Sequence, residues 1–161
     1  MSDMSENQEF LALTRQTDLP AQLEADMAAL AADAADDLVA LVADDAADLE
    51  RRWRSAVILG KRPDGAAGVD ALLGVLGHSA WEMRHSAVWS LCQIGDARAY
   101  PALLHICTDG KLDEQVNYVA ALGIARQYGA AGRAALEANL SHDDETVRAW
   151  ARAALAAVSY L

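Results

Sequence analysis

The feature that most constrains this chain is a recurrence every 31 or 33 residues. Ala56, Ala87, Ala120 and Ala151 are separated by 31, 33 and 31 positions. Leu72, Leu103 and Leu136 follow at 31 and 33, and Leu76, Cys107 and Leu140 repeat those two intervals. Within residues 83–107, two helical patterns meet at Gly95-Asp96. Met83, Ala87, Leu91 and Ile94 share one face; Ala99, Leu103, Leu104 and Cys107 share another. The longer interval takes up its extra residues after Cys107, where Gly110-Lys111 lengthen a turn. Stacked units tolerate an insertion there, because a turn can grow without displacing a core position.

Charge divides the chain differently. Residues 1–50 carry thirteen acids and one Arg, a net of −12, whereas residues 51–161 carry a net of +1. The acidic excess opposes nonspecific binding to nucleic acid or anionic membrane. Hydrophobic residues make up 53% of the 161 residues, which argues against global disorder. Much of that fraction is Ala, which favours helix but buries little surface, so thin seams filled by Leu, Val and the four Trp are expected. Cys92 and Cys107 sit among apolar neighbours and read as buried free thiols. The polar N-terminus does not read as a signal peptide, and no apolar run approaches the length of about 20 residues that spans a bilayer. A cytoplasmic location is the expectation.

Taken in order, residues 1–7 are expected to fray and residues 8–16 to form a short helix with Phe10, Leu11 and Leu13 as its apolar residues. Asp18-Leu19-Pro20 is a helix start. Leu23, Met27 and Leu30, then Leu38, Leu41 and Val42, keep helical spacing. Residues 46–61 form a helix in which Asp48–Arg52 and Glu50–Arg54 are i,i+4 pairs. These arginines, with Lys61 and Arg62, are expected to be paired along the helix and solvated. Pro63-Asp64-Gly65, Gly77-His78-Ser79 and residues 108–111 break the pattern, and Gly129 ends a helix of residues 113–127. Ser141-His142-Asp143-Asp144 caps a last helix reaching Val158. The resulting division is an acidic, Ala-rich helical cap or divergent repeat at residues 1–45, followed by an array at residues 46–161. Its units fall at about residues 46–77, 78–109 and 110–141, with a final helix at residues 142–161.

The first helices carry a family resemblance. Asp144-x-x-Val147-Arg148-x-x-Ala151-x-x-Ala154-Leu155 resembles the first helix of HEAT-like repeats, in particular the short kind of the phycobilisome bilin lyases. Met83-Arg84-x-x-Ala87-x-x-x-Leu91-x-x-Ile94-Gly95-Asp96 is similar to it and includes the Ile-Gly-Asp turn. The third copy keeps Val116 and Ala120 but has Asn117 at the Arg position, and the first has Trp53 there. The family's ladder of Arg and turn Asp between units is therefore expected to be interrupted. The resemblance covers roughly residues 46–161. A helix pair of about thirty residues cannot bury its apolar face alone, whereas stacking makes one continuous core. The expected fold is all-α: a right-handed α-solenoid of stacked antiparallel helix pairs whose second helices line a concave binding side.

No nucleophile elbow or phosphate-cradling Gly loop is present, and no catalytic residue, metal ligand or cofactor is assigned. His78 and His142 occupy equivalent turns, which points to capping rather than to metal. The trio of His142, Asp143 and Asp144 reads as a helix cap with acids at the positive end of the dipole. His85 is expected on an exposed face and Trp150 in the core. Trp89, about 200° around the helix from Ala87, and Trp81, at its helix start, are candidate interface anchors. On the second helices, Asp70, Gly74, Arg98, Pro101, His105, Arg133 and Glu137 lie between the core positions and form the candidate binding face. That set mixes charges and contains no basic stripe, which suits a protein partner better than phosphate. The expectation is a noncatalytic protein-interaction module or scaffold, monomeric or weakly self-associating. The resemblance leaves a bilin lyase or bilin chaperone acting on phycobiliproteins as the alternative. A nucleic-acid-binding HEAT-like protein is disfavoured by the charge.

Overall fold

The computed structural model of the chain describes residues 3–15, 21–109 and 114–159, and every element among them is helical. The Asp18-Leu19-Pro20 start, the Gly110-Lys111 insertion and Asp113 lie outside the described residues. Two compact units form, residues 1–90 and 91–161.

The first unit contains α1 (Asp3–Arg15), α2 (Ala21–Ala31), α3 (Ala35–Ala43), α4 (Leu49–Lys61), α5 (Val69–Gly74) and the first ten residues of α6 (Trp81–Ile94). Helix α1 begins at Asp3, so it extends into the stretch expected to fray. Helix α4 begins at Leu49 because the Asp48 carboxylate caps it, accepting from the Arg51 N–H at 3.1 Å. The second-helix pattern opens with a 3₁₀ turn at Gly65–Gly68, which leaves α5 only six residues long. Helix α3 packs along α4 and against the 3₁₀ turn and α5. Leu38, Val42, Val69 and Leu72 are fully buried there, and burial of such a side chain stabilises by about 1.5–3 kcal/mol. Helices α4 and α6 approach closely at Gly60, where an added Cβ would lie 2.8 Å from the Ser90 Cα. The Ser90 hydroxyl donates to the Ala56 carbonyl at 2.7 Å across this contact.

The second unit contains the end of α6, a 3₁₀ turn at Ala97–Ala99, α7 (Tyr100–Thr108), α8 (Glu114–Gln127), α9 (Gly129–Asn139) and α10 (Glu145–Val158). Helix α8 is central, packing on α7, α9 and α10. Small residues let backbones close up on it. A Cβ at Gly123 would lie 2.1 Å from the Cys92 sulfur, and one at Gly132 would lie 2.2 Å from the Ile124 carbonyl oxygen. Gly95 sits at φ +67° after α6, a left-handed conformation that Gly adopts at no steric cost. The recurring alanines are the core of both units: Ala56, Ala87 and Ala120 are 0% exposed and Ala151 is 1% exposed. Leu103 and Leu136 are fully buried, like their counterpart Leu72, whereas Leu140 keeps the register yet is 39% exposed.

The first helices close the turns before them. Arg84 Nη1 donates to the His78 and Ser79 carbonyls at 2.8 and 2.7 Å. Arg148 Nη1 donates to the His142 and Asp143 carbonyls at 2.5 and 2.9 Å. Asn117 Nδ2 substitutes at 2.8 Å from the Asp109 carbonyl, leaving its own Oδ1 buried without a partner. These side chains act within one turn rather than as a ladder; the turn acid Asp96 is held by Arg98. The imidazoles of His78 and His142 take the capping role expected of them, each Nδ1 accepting a backbone N–H at 3.0 Å, from Ala80 and Asp144 respectively.

Candidate protein-interaction surfaces

The arginines expected to be solvated are the main correction. Arg52 and Arg54 are 3% and 7% exposed. Asp48 is occupied with its cap, so Arg52 does not pair with it. Arg52 instead turns inward, donating through Nε and Nη2 to the Val42 carbonyl at 3.3 and 2.9 Å and through Nη2 to Asp45 at 2.9 Å. Arg54 keeps the expected Glu50 partner but also bonds Glu9 of α1, through Nε at 2.9 Å and through Nη2, and lies 3.9 Å from Asp26 of α2. Arg62 donates to the Ala31 and Asp33 carbonyls at 3.1 and 2.8 Å and pairs with Asp64. Arginines of α4 and the residue after it thus hold α1, α2 and α3. An open groove of about 460 Å³ runs beside this clasp, walled by Asp26, Asp33, Glu50, Arg51 and Arg54 among others.

Beside the clasp lies an aromatic cluster. Phe10 of α1, 5% exposed, meets Trp81 at 5.7 Å, His85 at 5.9 Å and Trp53 at 6.5 Å between ring centroids. Trp81 and His85 stack at 4.0 Å, one helical turn apart on α6. His85 is therefore 3% exposed, not on an open face. Trp81 serves packing inside the first unit. Trp89 is half-buried, with the Lys61 ammonium 5.7 Å from its ring. Trp150 is half-buried against Tyr118 at 5.5 Å.

The second-helix candidates fare differently. Asp70 and Gly74 on α5 are exposed, one turn apart. In the second unit Arg98, Pro101, His105, Arg133 and Glu137 are all exposed. Pro101 and His105 are one turn apart on α7, and Arg133 and Glu137 one turn apart on α9. The starts of α7 and α9 are tied together: the Tyr100 and Tyr128 rings lie 4.9 Å apart, and the Tyr100 hydroxyl is 3.5 Å from the Ala131 carbonyl. The Tyr128 hydroxyl donates to the Asp96 carbonyl at 2.9 Å. Burial, with Cys92 and Asp96 nearby, pushes the Tyr128 phenol up to about 12. The Asp96 carboxyl is held below its usual range by hydrogen bonds from the Arg98 side chain and backbone.

Burial pushes the Cys107 thiol up to about 12 and the Cys92 thiol higher still, whereas the thiolate is the reactive form. Among the described residues no group of three or more His, Cys, Asp or Glu is placed to hold a metal ion, and no helix is long and apolar enough to cross a membrane. The roles of Arg54 and Phe10 were missed in the sequence. The one available signal was that Phe10 is the chain's single Phe, on the segment richest in acid.

No curated protein matches the chain. A family match does: HEAT repeats, over residues 35–125, without singling out the phycobilisome kind. That span covers more than half of the chain, from α3 to the end region of α8, and includes the buried Ala56, Ala87 and Ala120 core and the Gly95 turn. The chain belongs to the HEAT repeat family.

Proposed function

We propose that this chain is a noncatalytic protein-interaction module, binding a partner through exposed second-helix residues. HEAT repeats commonly serve as interaction scaffolds, and extended repeat surfaces suit that role. The observation that carries the reading is the contrast along the second helices. Leu72, Leu103 and Leu136 are fully buried, while Asp70 and Gly74, Pro101 and His105, and Arg133 and Glu137 on the same helices are exposed. The side chains that build the core are thus distinct from those left for a partner. The exposed set mixes acid, base and imidazole, a composition suited to a polar protein surface.

The test is an affinity capture with two baits, the wild-type chain and a His105→Glu/Arg133→Glu variant whose helix content is unchanged by circular dichroism. A protein retained by the first and lost by the second is the expected outcome. Identical retention by both baits overturns the assignment of this face.

A further inference from the structure

The face of α4 and α6 that α1 covers has the build of a receptor. Arg54 is buried, bonded to Glu50 of its own helix, and its guanidinium carbon lies 5.6 Å from the Trp53 ring centroid. Trp81 and His85 are stacked on each other along α6. The rings and the cation are therefore positioned by α4 and α6 themselves, which lowers the ordering cost of binding. What α1 adds is small: the Glu9 carboxylate on Arg54, the Phe10 ring among Trp53, Trp81 and His85, and Leu13, 3% exposed. These three positions lie on one helical face, at i, i+1 and i+4. The opposite side of α1 is open, with Leu11 37% exposed.

We infer that this face is a docking site for an amphipathic helix of a partner protein bearing the spacing Glu-Phe-x-x-Leu, and that α1 is its resident competitor. A thirteen-residue helix is marginal on its own. Its attachment to the rest of the chain makes docking intramolecular, at an effective concentration on the order of millimolar. A partner helix with the same three anchors and a longer contact displaces it. The net charge of −11 disfavours a partner with a run of acids, so the fitting helix carries its acid at the Arg54 position alone. This site is separate from the exposed second-helix residues and stands whether or not those bind.

The test uses full-length chains and a fluorescent peptide with the sequence of residues 3–15. Anisotropy is measured against the wild type, Phe10→Ala, and Phe10→Ala/Arg54→Gln. If α1 occupies the site nine-tenths of the time, the wild type binds the peptide about tenfold more weakly than Phe10→Ala does. The added Arg54→Gln change, or a Phe→Ala change in the peptide, abolishes the gain. Equal binding to the wild type and Phe10→Ala, or no binding to a still-helical Phe10→Ala chain at about 1 mM peptide, overturns the proposal. Should Phe10→Ala lose helix, Glu9→Gln loosens the clasp alone and is held to the same criterion. A wild-type dimer that Phe10→Ala dissociates also overturns it, because the site then serves a second copy.

Discussion

The N-terminal helices and the helices around α8 solve the same packing problem by different chemistry. Helices α1, α2 and α3 are fastened by long cations that reach out from α4 and from Arg62, satisfying carbonyls and carboxylates. Helices α8 and α9, and Cys92 beside Gly123, are joined by the absence of side chains: glycine lets backbone meet backbone. The first device depends on charge and keeps partly exposed partners, Glu50 at 53% and Asp26 at 48%. The second depends on volume alone. A segment carrying a net of −12 over residues 1–50 can dock on cations, whereas a near-neutral repeat can pack by shape.

The sharpest way to break this comparison is to add a methyl group where volume decides. Gly132→Ala should destabilise by about 3 kcal/mol, because the clash is with a backbone carbonyl that cannot swing away. Gly74→Ala, with nothing within 4 Å of the added carbon, is the control and should be neutral or slightly stabilising. Urea titration reads both; equal effects would mean that close approach is not what fastens α9 to α8.

The next effect separates two kinds of cation. Arg52→Ala should cost about 2 kcal/mol, since it strips a buried carbonyl at Val42 of its donor. Asp45, whose side chain is 90% exposed, contributes little to that loss. The cost should therefore be insensitive to salt. The cost of Arg54→Ala should shrink as sodium chloride is raised, because its carboxylate partners are partly exposed. Parallel salt responses in urea titrations of the two variants would erase the distinction.

The smallest effect concerns the second unit. Tyr128→Phe should cost about 1 kcal/mol at neutral pH through the lost bond to the Asp96 carbonyl. Its folded-state pKa lies above the ordinary phenol value of 10.0, so the folded chain holds the phenolic proton more tightly than the unfolded chain. The resulting stability is complete below pH 10 and fades as pH rises toward about 12. Thermal melts from pH 8 to 11.5 should show a shallower alkaline fall for Tyr128→Phe than for the wild type. Identical slopes would remove Tyr128 from the account.

What was legible in the sequence follows the same division. The buried alanines, the Gly95 turn, the Asp144 cap and the paired turn imidazoles are local or periodic, so spacing alone exposes them. The inward turn of Arg54 is neither. Its spacing to Glu50 matches a surface pair, and a second partner, Glu9, is 45 residues away. Helical spacing puts His85 on an open face, because nothing in its own helix announces that Phe10 lies against it. The exposure of Arg98, His105 and Arg133 follows from their positions between the core residues of their own segments.

The side chains that close the turns bear on how such a chain can be lengthened. Arg84, Asn117 and Arg148 each sit on a first helix and hold the carbonyls just ahead of it. A segment excised from one turn to the next therefore carries its own latch at its leading edge. Duplicating such a cassette creates a joint that arrives already latched, and removing one leaves the following joint supplied by the following cassette. Arg84 and Arg148 grip two carbonyls and Asn117 grips one. For a designer extending the array, cassettes headed by Arg are the better stock.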